Sequence, residues 1–307
     1  MDFKKIDKSL GRFWGWIGLL SCSLIVKVMP ASLLYGFARM IAAIGYCCVG
    51  KLRRIALESL SIAFGKEKTP AEIRQIARGC VVYMAKSAVE LLYLMDHPAL
   101  LKKRVAFEGE QHLKQALSAG KGVILVSAHF GNFPLMLIKF GLEGYTVSGI
   151  MRPMRDKRVE DFFLKKRHRL NVKTIYSQPR TTCVNNSIAA LRRNELIFIP
   201  IDQNFGTAGV FVDFFGRKAA TATGPVVLAQ RTKAALLPCF MVRQPDDTHK
   251  IIFEPPIQVE EGSDPQETIR INIQRLTNII EVYIRRYPLE WGWIHRRWKS
   301  QASETHA

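Results

Sequence analysis

The chain has few acids and little of what marks the commoner enzyme classes. Against 45 Lys and Arg it sets only 26 Asp and Glu, a net charge of +19 over 307 residues. No Gly-rich dinucleotide fingerprint and no phosphate-loop motif occurs, so neither cofactor chemistry is implied. No Ser or Cys stands in a nucleophile-elbow context, which argues against a covalent acyl-enzyme. The six cysteines (Cys22, Cys47, Cys48, Cys80, Cys183 and Cys239) form no CxxC pair and have no nearby His pair. That spacing argues against zinc, and they read as reduced thiols packed as small hydrophobes in a cytoplasmic setting. Repeats and low-complexity tracts are lacking too.

What is present is apolar content, at 48% of residues, enough for a sizeable core. The positive charge seeks anionic partners: nucleic acid, acidic lipid or an acidic carrier protein. Two apolar runs near the N-terminus, 13–29 and 31–50, bear on that choice. Lys4, Lys5, Lys8 and Arg12 precede them, and Lys51, Arg53 and Arg54 follow. The first run is marginal against the ~20 apolar residues a spanning helix needs, and the second carries only Arg39 as a full charge. Trp14 and Trp16 suit a headgroup interface. No small-residue cleavage site follows the first run, so residues 1–50 read as a membrane anchor or interfacial helices, not a signal peptide. A helical hairpin packed on a soluble core would carry the same pattern.

Beyond residue 50 the reading is a single domain, 51–299, followed by a polar tail, 300–307. Residues 52–64 look helical. Thr69-Pro70-Ala71-Glu72 is a capping box with Pro in the first turn, opening a helix that runs to about Met95. Short β-branched runs then stand at 122–127, 146–150, 172–176, 196–201, 236–242 and 250–254. Helical segments fall between or after them at about 133–142, 156–170, 185–193, 223–233 and 266–286. Strands alternating with helices predict an α/β fold: a mostly parallel central sheet flanked by helices, behind a membrane-associated helical segment.

Candidate chemistry collects after predicted strands. In SAHFGNFP (127–134) His129 follows a strand directly, where open α/β sheets bind ligands. Asn132 suits an N-cap, and helix-start amides there could stabilise an oxyanion. A structural imidazole in a turn would look the same. Asp202-Gln203-Asn204 follows the strand 196–201, and Asp202 could orient His129, or simply cap a loop. Arg152 follows the strand 146–150 and could grip a phosphate bidentately, whereas the other cations up to Lys173 read as a solvated face. In FVDFFGRKAATATGP (211–225), Thr223 and Gly224 open a helix, and the aromatics could wall an acyl channel or be ordinary core. WGWIHRRWK (291–299) interleaves Trp with cations, which suits a membrane interface. It also suits nucleic acid, but no nucleic-acid-binding motif accompanies it.

Taken in order, RRIALESLSIAFG (53–65), AHFGN (128–132), MRPM (151–154), IDQN (201–204), GVFVDFFGRKAATATGP (209–225) and WGWIHRRWK (291–299) resemble the lipid A biosynthesis acyltransferases. The resemblance runs over nearly the whole chain. It implies transfer of a fatty acyl group from acyl carrier protein or acyl-CoA to a hydroxyl of an anionic glycolipid. The site implied is the cytoplasmic face of the inner membrane, with no metal, cofactor or nucleic acid. In that setting His129 and Asp202 would be catalytic. Asn132, Arg152, Gln203, Asn204, Thr223 and Gly224 would contact substrate. The family's motif places an acid five positions after the His, and here that position is Pro134. Either Asp202 supplies the acid, or a lone His129 suffices, or the chain binds lipid or carrier without turnover. A lysophospholipid or amino-acid lipid is an alternative acceptor.

Overall fold

The computed structural model describes residues 3–301, with side chains from Leu10 onward. Most of the predicted 300–307 tail, and Lys4, Lys5 and Lys8 as side chains, lie outside that range.

Four helices come first: α1 (Phe3–Val28), α2 (Leu34–Cys48), α3 (Gly50–Phe64) and α4 (Pro70–Leu94). The capping box is real. Glu72 donates its amide to the Thr69 hydroxyl at 3.3 Å, and the Thr69 amide returns a bond to the Glu72 carboxylate at 2.7 Å. Two reciprocal bonds satisfy donors that would otherwise be orphaned at the start of a 25-residue helix.

The remaining elements alternate as expected: α5 (Pro98–Arg104), β1 (Val105–Glu108), α6 (Glu110–Ser118), β2 (Val123–Ser127), α7 (Phe133–Leu142), β3 (Val147–Met151), α8 (Lys157–Arg169), β4 (Val172–Tyr176), α9 (Arg180–Arg192) and β5 (Leu196–Pro200). Then come a short hairpin, β6 (Val210–Phe214) and β7 (Arg217–Thr221), α10 (Gly224–Thr232), β8 (Ala235–Arg243), β9 (His249–Phe253) and α11 (Pro265–Arg286). Among the described residues the main sheet has the order β1-β9-β8-β2-β5-β3-β4, parallel except where β9 runs against β8. β2 is buried along its whole length, as a central parallel strand of Val, Ile and Leu should be. The sequence reading did not anticipate β1, α5, α6 or the β6–β7 hairpin.

The sheet buries two apolar layers. One face packs on α5, α6 and α7, together with parts of α2 and α4, around Phe140, Phe198 and Met241. The other packs on α3, α10 and α11, around Phe214, Phe240, Trp291 and Trp293. Thus Phe214 and Phe215 of FVDFFG are core, and Phe214 lies against Trp291 and Trp298 at ring-centroid separations of 5.7 and 5.6 Å.

The helical stretch Ala31–Cys48 is, by length and composition, apolar enough to cross a membrane: 18 residues with mean hydropathy 1.4, of which 17% are buried. No other described helix reaches that standard. α1 exposes Trp14, Leu24 and Val28, and α2 exposes Met40 and Ile44. Trp16 departs from expectation. Its ring meets Phe162 of α8 edge-on at 6.1 Å, under the Arg158 guanidinium, so it packs on the domain. Cys80 and Cys239 are buried as small hydrophobes, but Cys47 and Cys48 are exposed.

Candidate active site

Parallel pairing decides where His129 and Asp202 meet. β2 and β5 are neighbours, with Ser127 opposite Pro200. Each chain then continues two residues past its strand, which brings position 129 beside position 202 at the carboxyl edge. There His129 Nδ1 lies 2.8 Å from Asp202 Oδ1. The second carboxylate oxygen accepts the Trp291 indole N–H at 2.7 Å.

Asp202 is buried, while the His129 side chain keeps 33% of its surface open. One imidazole nitrogen is thus held by a buried acid, and the other bonds to none of the described residues. Burial opposes the charged form of both groups. For His129 the Asp202 charge and hydrogen bond outweigh it and hold the imidazole above its ordinary value. For Asp202 the His129 charge and hydrogen bond, then the Trp291 bond, hold the carboxyl below its ordinary value.

The loop around His129 is shaped by Gly131, at φ +62°. A Cβ there would collide with the Met241 carbonyl oxygen, so only Gly fits this turn. Its amide donates to the Glu290 carbonyl at 2.8 Å. Asn132 takes the predicted N-cap position of α7, but its side chain makes no cap bond. Instead it turns inward and donates to the Ser87 carbonyl at 3.1 Å and to Glu90 at 3.3 Å. The reason is an unforeseen buried cluster. Glu90 accepts from Arg243 at 2.7 Å and from the Tyr35 hydroxyl at 2.7 Å, and sits 2.8 Å from His249 Nε2. Burial would raise the Glu90 carboxyl, but His249, Arg243 and Tyr35 together bring it down to about 2. Backbone amides of Asn132 and Phe133 have no acceptor among the described residues, and Pro134 offers none.

The other sequence candidates scatter around this pair. Gln203 is exposed, and its carbonyl, not its side chain, is engaged, by Arg297 at 3.1 Å. Asn204 donates to the Ser300 hydroxyl at 3.1 Å. Thr223 is the N-cap residue of α10 without a side-chain cap bond, and Gly224 is exposed beside it. Arg152 is exposed just past β3, on the same carboxyl edge, with no partner among the described residues.

The largest surprise is the C-terminal segment. Trp291, Trp293, Arg297 and Trp298 are buried. They form a strap across the site, not a membrane surface. Phe130 and Trp291 make an antiparallel bridge, and the Gly292 amide donates to the His129 carbonyl at 3.3 Å. Arg297 ties the strap down through Gln203, Ala220 and Thr221. The signal was present as Trp-Gly-Trp: two large indoles so close in the chain ask for burial, and the segment turns between them, with the Trp293 amide donating to the Trp291 carbonyl at 3.0 Å.

Residues 1–300 match the family described as bacterial lipid A biosynthesis acyltransferase. The chain belongs to this family. Similar proteins include the lipid A biosynthesis lauroyltransferase of Escherichia coli, 27% identical over 63% of this chain and 61% of its own length. The palmitoleoyltransferase of the same organism is 26% identical over 94% of this chain and 92% of its own. A phosphatidylinositol mannoside acyltransferase of Mycobacterium tuberculosis is 24% identical over 64% and 61%. The chain therefore spans about three fifths of the lauroyltransferase it matches. In this member of the lipid A acyltransferase family, Pro134 stands in the first turn of α7, and the acid that touches the histidine arrives from β5.

Proposed function

We propose that this protein is an O-acyltransferase that moves a fatty acyl group from a thioester donor, acyl carrier protein or acyl-CoA, to a hydroxyl of an anionic lipid A-type glycolipid. It works at the cytoplasmic face of the inner membrane, with 1–50 as anchor and 51–299 as catalytic domain. The observation that carries the reading is the His129–Asp202 contact of 2.8 Å with the outer imidazole nitrogen left open.

Asp202 accepts Nδ1–H and so fixes the tautomer with a basic Nε2. His129 Nε2 takes the proton of the acceptor hydroxyl as its oxygen attacks the thioester carbonyl. The tetrahedral oxyanion is met by the Asn132 and Phe133 amides at the start of α7. Collapse expels the thiolate, which recovers the proton from His129. The thioester is already activated, so no acyl-enzyme is required.

Arg152, Gln203, Asn204, Thr223 and Gly224 serve as substrate contacts in this reading, and Arg152 is the phosphate grip. The relatives are named for lipid A biosynthesis and for acylation of phosphatidylinositol mannoside, both phosphorylated glycolipids, and a net charge of +19 favours such a surface. The exposed apolar faces of α1 and α2 support membrane attachment.

The test is acyl transfer by detergent-solubilised protein. Labelled acyl carrier protein or acyl-CoA would be offered with a tetra-acylated lipid A precursor or a lysophospholipid. Transfer to the glycolipid, lost in His129→Ala, is expected. Transfer to the lysophospholipid alone would replace the acceptor. No transfer to either, with lipid binding retained, would make the chain a binding protein.

A further inference from the structure

The largely apolar helix α2 sends one tyrosine, Tyr35, into the buried cluster behind Asn132. The Tyr35 hydroxyl donates to Glu90 Oε1 at 2.7 Å and accepts from Arg104 at 2.9 Å. Cations surround the ring: the Lys86 ammonium lies 4.7 Å from its centroid, and the Arg104 and Arg243 guanidinium groups lie 5.7 Å away.

The other oxygen of the same carboxylate looks toward the site. Glu90 Oε2 accepts from Arg243 at 2.7 Å and from the Asn132 side-chain amide at 3.3 Å. That amide gives its second hydrogen to the Ser87 carbonyl at 3.1 Å, so α4 takes both. An N-cap asparagine ordinarily lays its side chain over the turn it opens. Here the side chain is drawn off the turn and makes no cap bond. The Asn132 carbonyl alone receives the Leu135 and Met136 amides, at 2.9 and 3.1 Å. The Asn132 and Phe133 amides are left without an acceptor among the described residues. The last torsion of a glutamate is soft, so holding one oxygen in place requires holding the other. Tyr35 supplies that second hold.

We infer that Tyr35 is a positioning residue for acyl transfer: its hydroxyl fixes the Glu90 carboxylate, Glu90 fixes the Asn132 side chain, and Asn132 fixes the start of α7 with the two amides that meet the oxyanion. This rests on the acyl-transfer reading above. The way α2 lies on the domain thereby reaches the reacting centre through one hydroxyl and one carboxylate.

Two measurements on the full-length protein in detergent test it. Both use Tyr35→Phe, which removes the hydroxyl and keeps the ring among its cations. In the first, amide hydrogen exchange is followed without substrate. Exchange at Leu135 and Met136 should quicken about tenfold, the worth of one hydrogen bond, while β2 and β5 keep their wild-type rates. Wild-type exchange at Leu135 and Met136, or an equal quickening throughout the sheet, overturns the inference. This readout needs no turnover, so it stands even if the transfer assay fails. In the second, acyl transfer is measured. In Tyr35→Phe kcat should fall about tenfold with the donor KM unchanged, a part of the roughly 10²–10³ that a whole oxyanion donor is worth. In an Asn132→Ala background the same change should cost nothing further, because the residue it acts through is gone. Wild-type kcat in Tyr35→Phe, or a loss that persists undiminished beside Asn132→Ala, refutes the inference.

Discussion

Trp291 donates its indole N–H to the Asp202 oxygen that His129 leaves free, so the acid is held from both sides at 2.7 and 2.8 Å. Trp291→Phe removes that donor and keeps the ring packed on Phe214 and Trp293. A buried acceptor left unmet costs about 1–3 kcal/mol. We expect kcat to fall about tenfold, with a small drop in Tm. Wild-type kcat in this variant would show that His129 alone holds Asp202 in place.

Asp202→Asn separates orientation from basicity. As the proposed base His129 works only when neutral, and its value is raised, so the acid limb of kcat/KM in the wild type is expected above the ordinary 6.5. Asn removes the charge that raises it and leaves the burial that lowers it. The limb should therefore move to lower pH while the plateau falls roughly 10³–10⁴-fold through loss of the productive tautomer. A rate–pH profile that drops without moving would mean that Asp202 does not set the His129 value.

Gly131→Ala is expected to damage site and stability together. The backbone there is left-handed and the new methyl strikes the Met241 carbonyl. Strain of this kind is worth ~1–3 kcal/mol. Relief requires moving the turn that carries His129, so kcat should fall more than Tm. Acyl transfer and thermal unfolding of one preparation measure both.

Glu90→Gln tests the cluster behind Asn132. A buried carboxylate bonded to Arg243, His249 and Tyr35 is replaced by a neutral amide, and Arg243 loses its counter-charge. The expected loss is about 3–5 kcal/mol. In the wild type the folded carboxyl titrates at about 2, below its ordinary 4.5. Its stabilisation is therefore complete above 4.5 and disappears as pH falls toward 2. Urea midpoints across that window should drop steeply in the wild type and less in Glu90→Gln.

Much of this was legible because period and punctuation are local. The β-branched runs of β2 to β5 and the capping box at Thr69 announce themselves within a few residues. His129 and Asp202 were legible because the carboxyl end of a parallel strand is a place that topology defines in advance. The β6–β7 hairpin hid in a segment whose Phe pairs and Ala-Ala run show no clean alternation. The Glu90 cluster gathers residues from α2, α4, the β8–β9 hairpin and the α7 cap, with Glu90 and His249 alone 159 positions apart, and no spacing rule connects them. The strap misled for a different reason. Trp and Arg side by side suit lipid headgroups and a tight aromatic core equally, and only the partners of Arg297 tell them apart.

The hydrogen bond between Trp291 and Asp202 joins positions 89 apart in the chain. On the ribosome, both members of the His129–Asp202 pair emerge well before the residue that braces them. A nascent polypeptide that has already folded its sheet still lacks the brace on its acid. Catalytic competence would arrive late in synthesis, after α1 and α2 are already outside the exit tunnel.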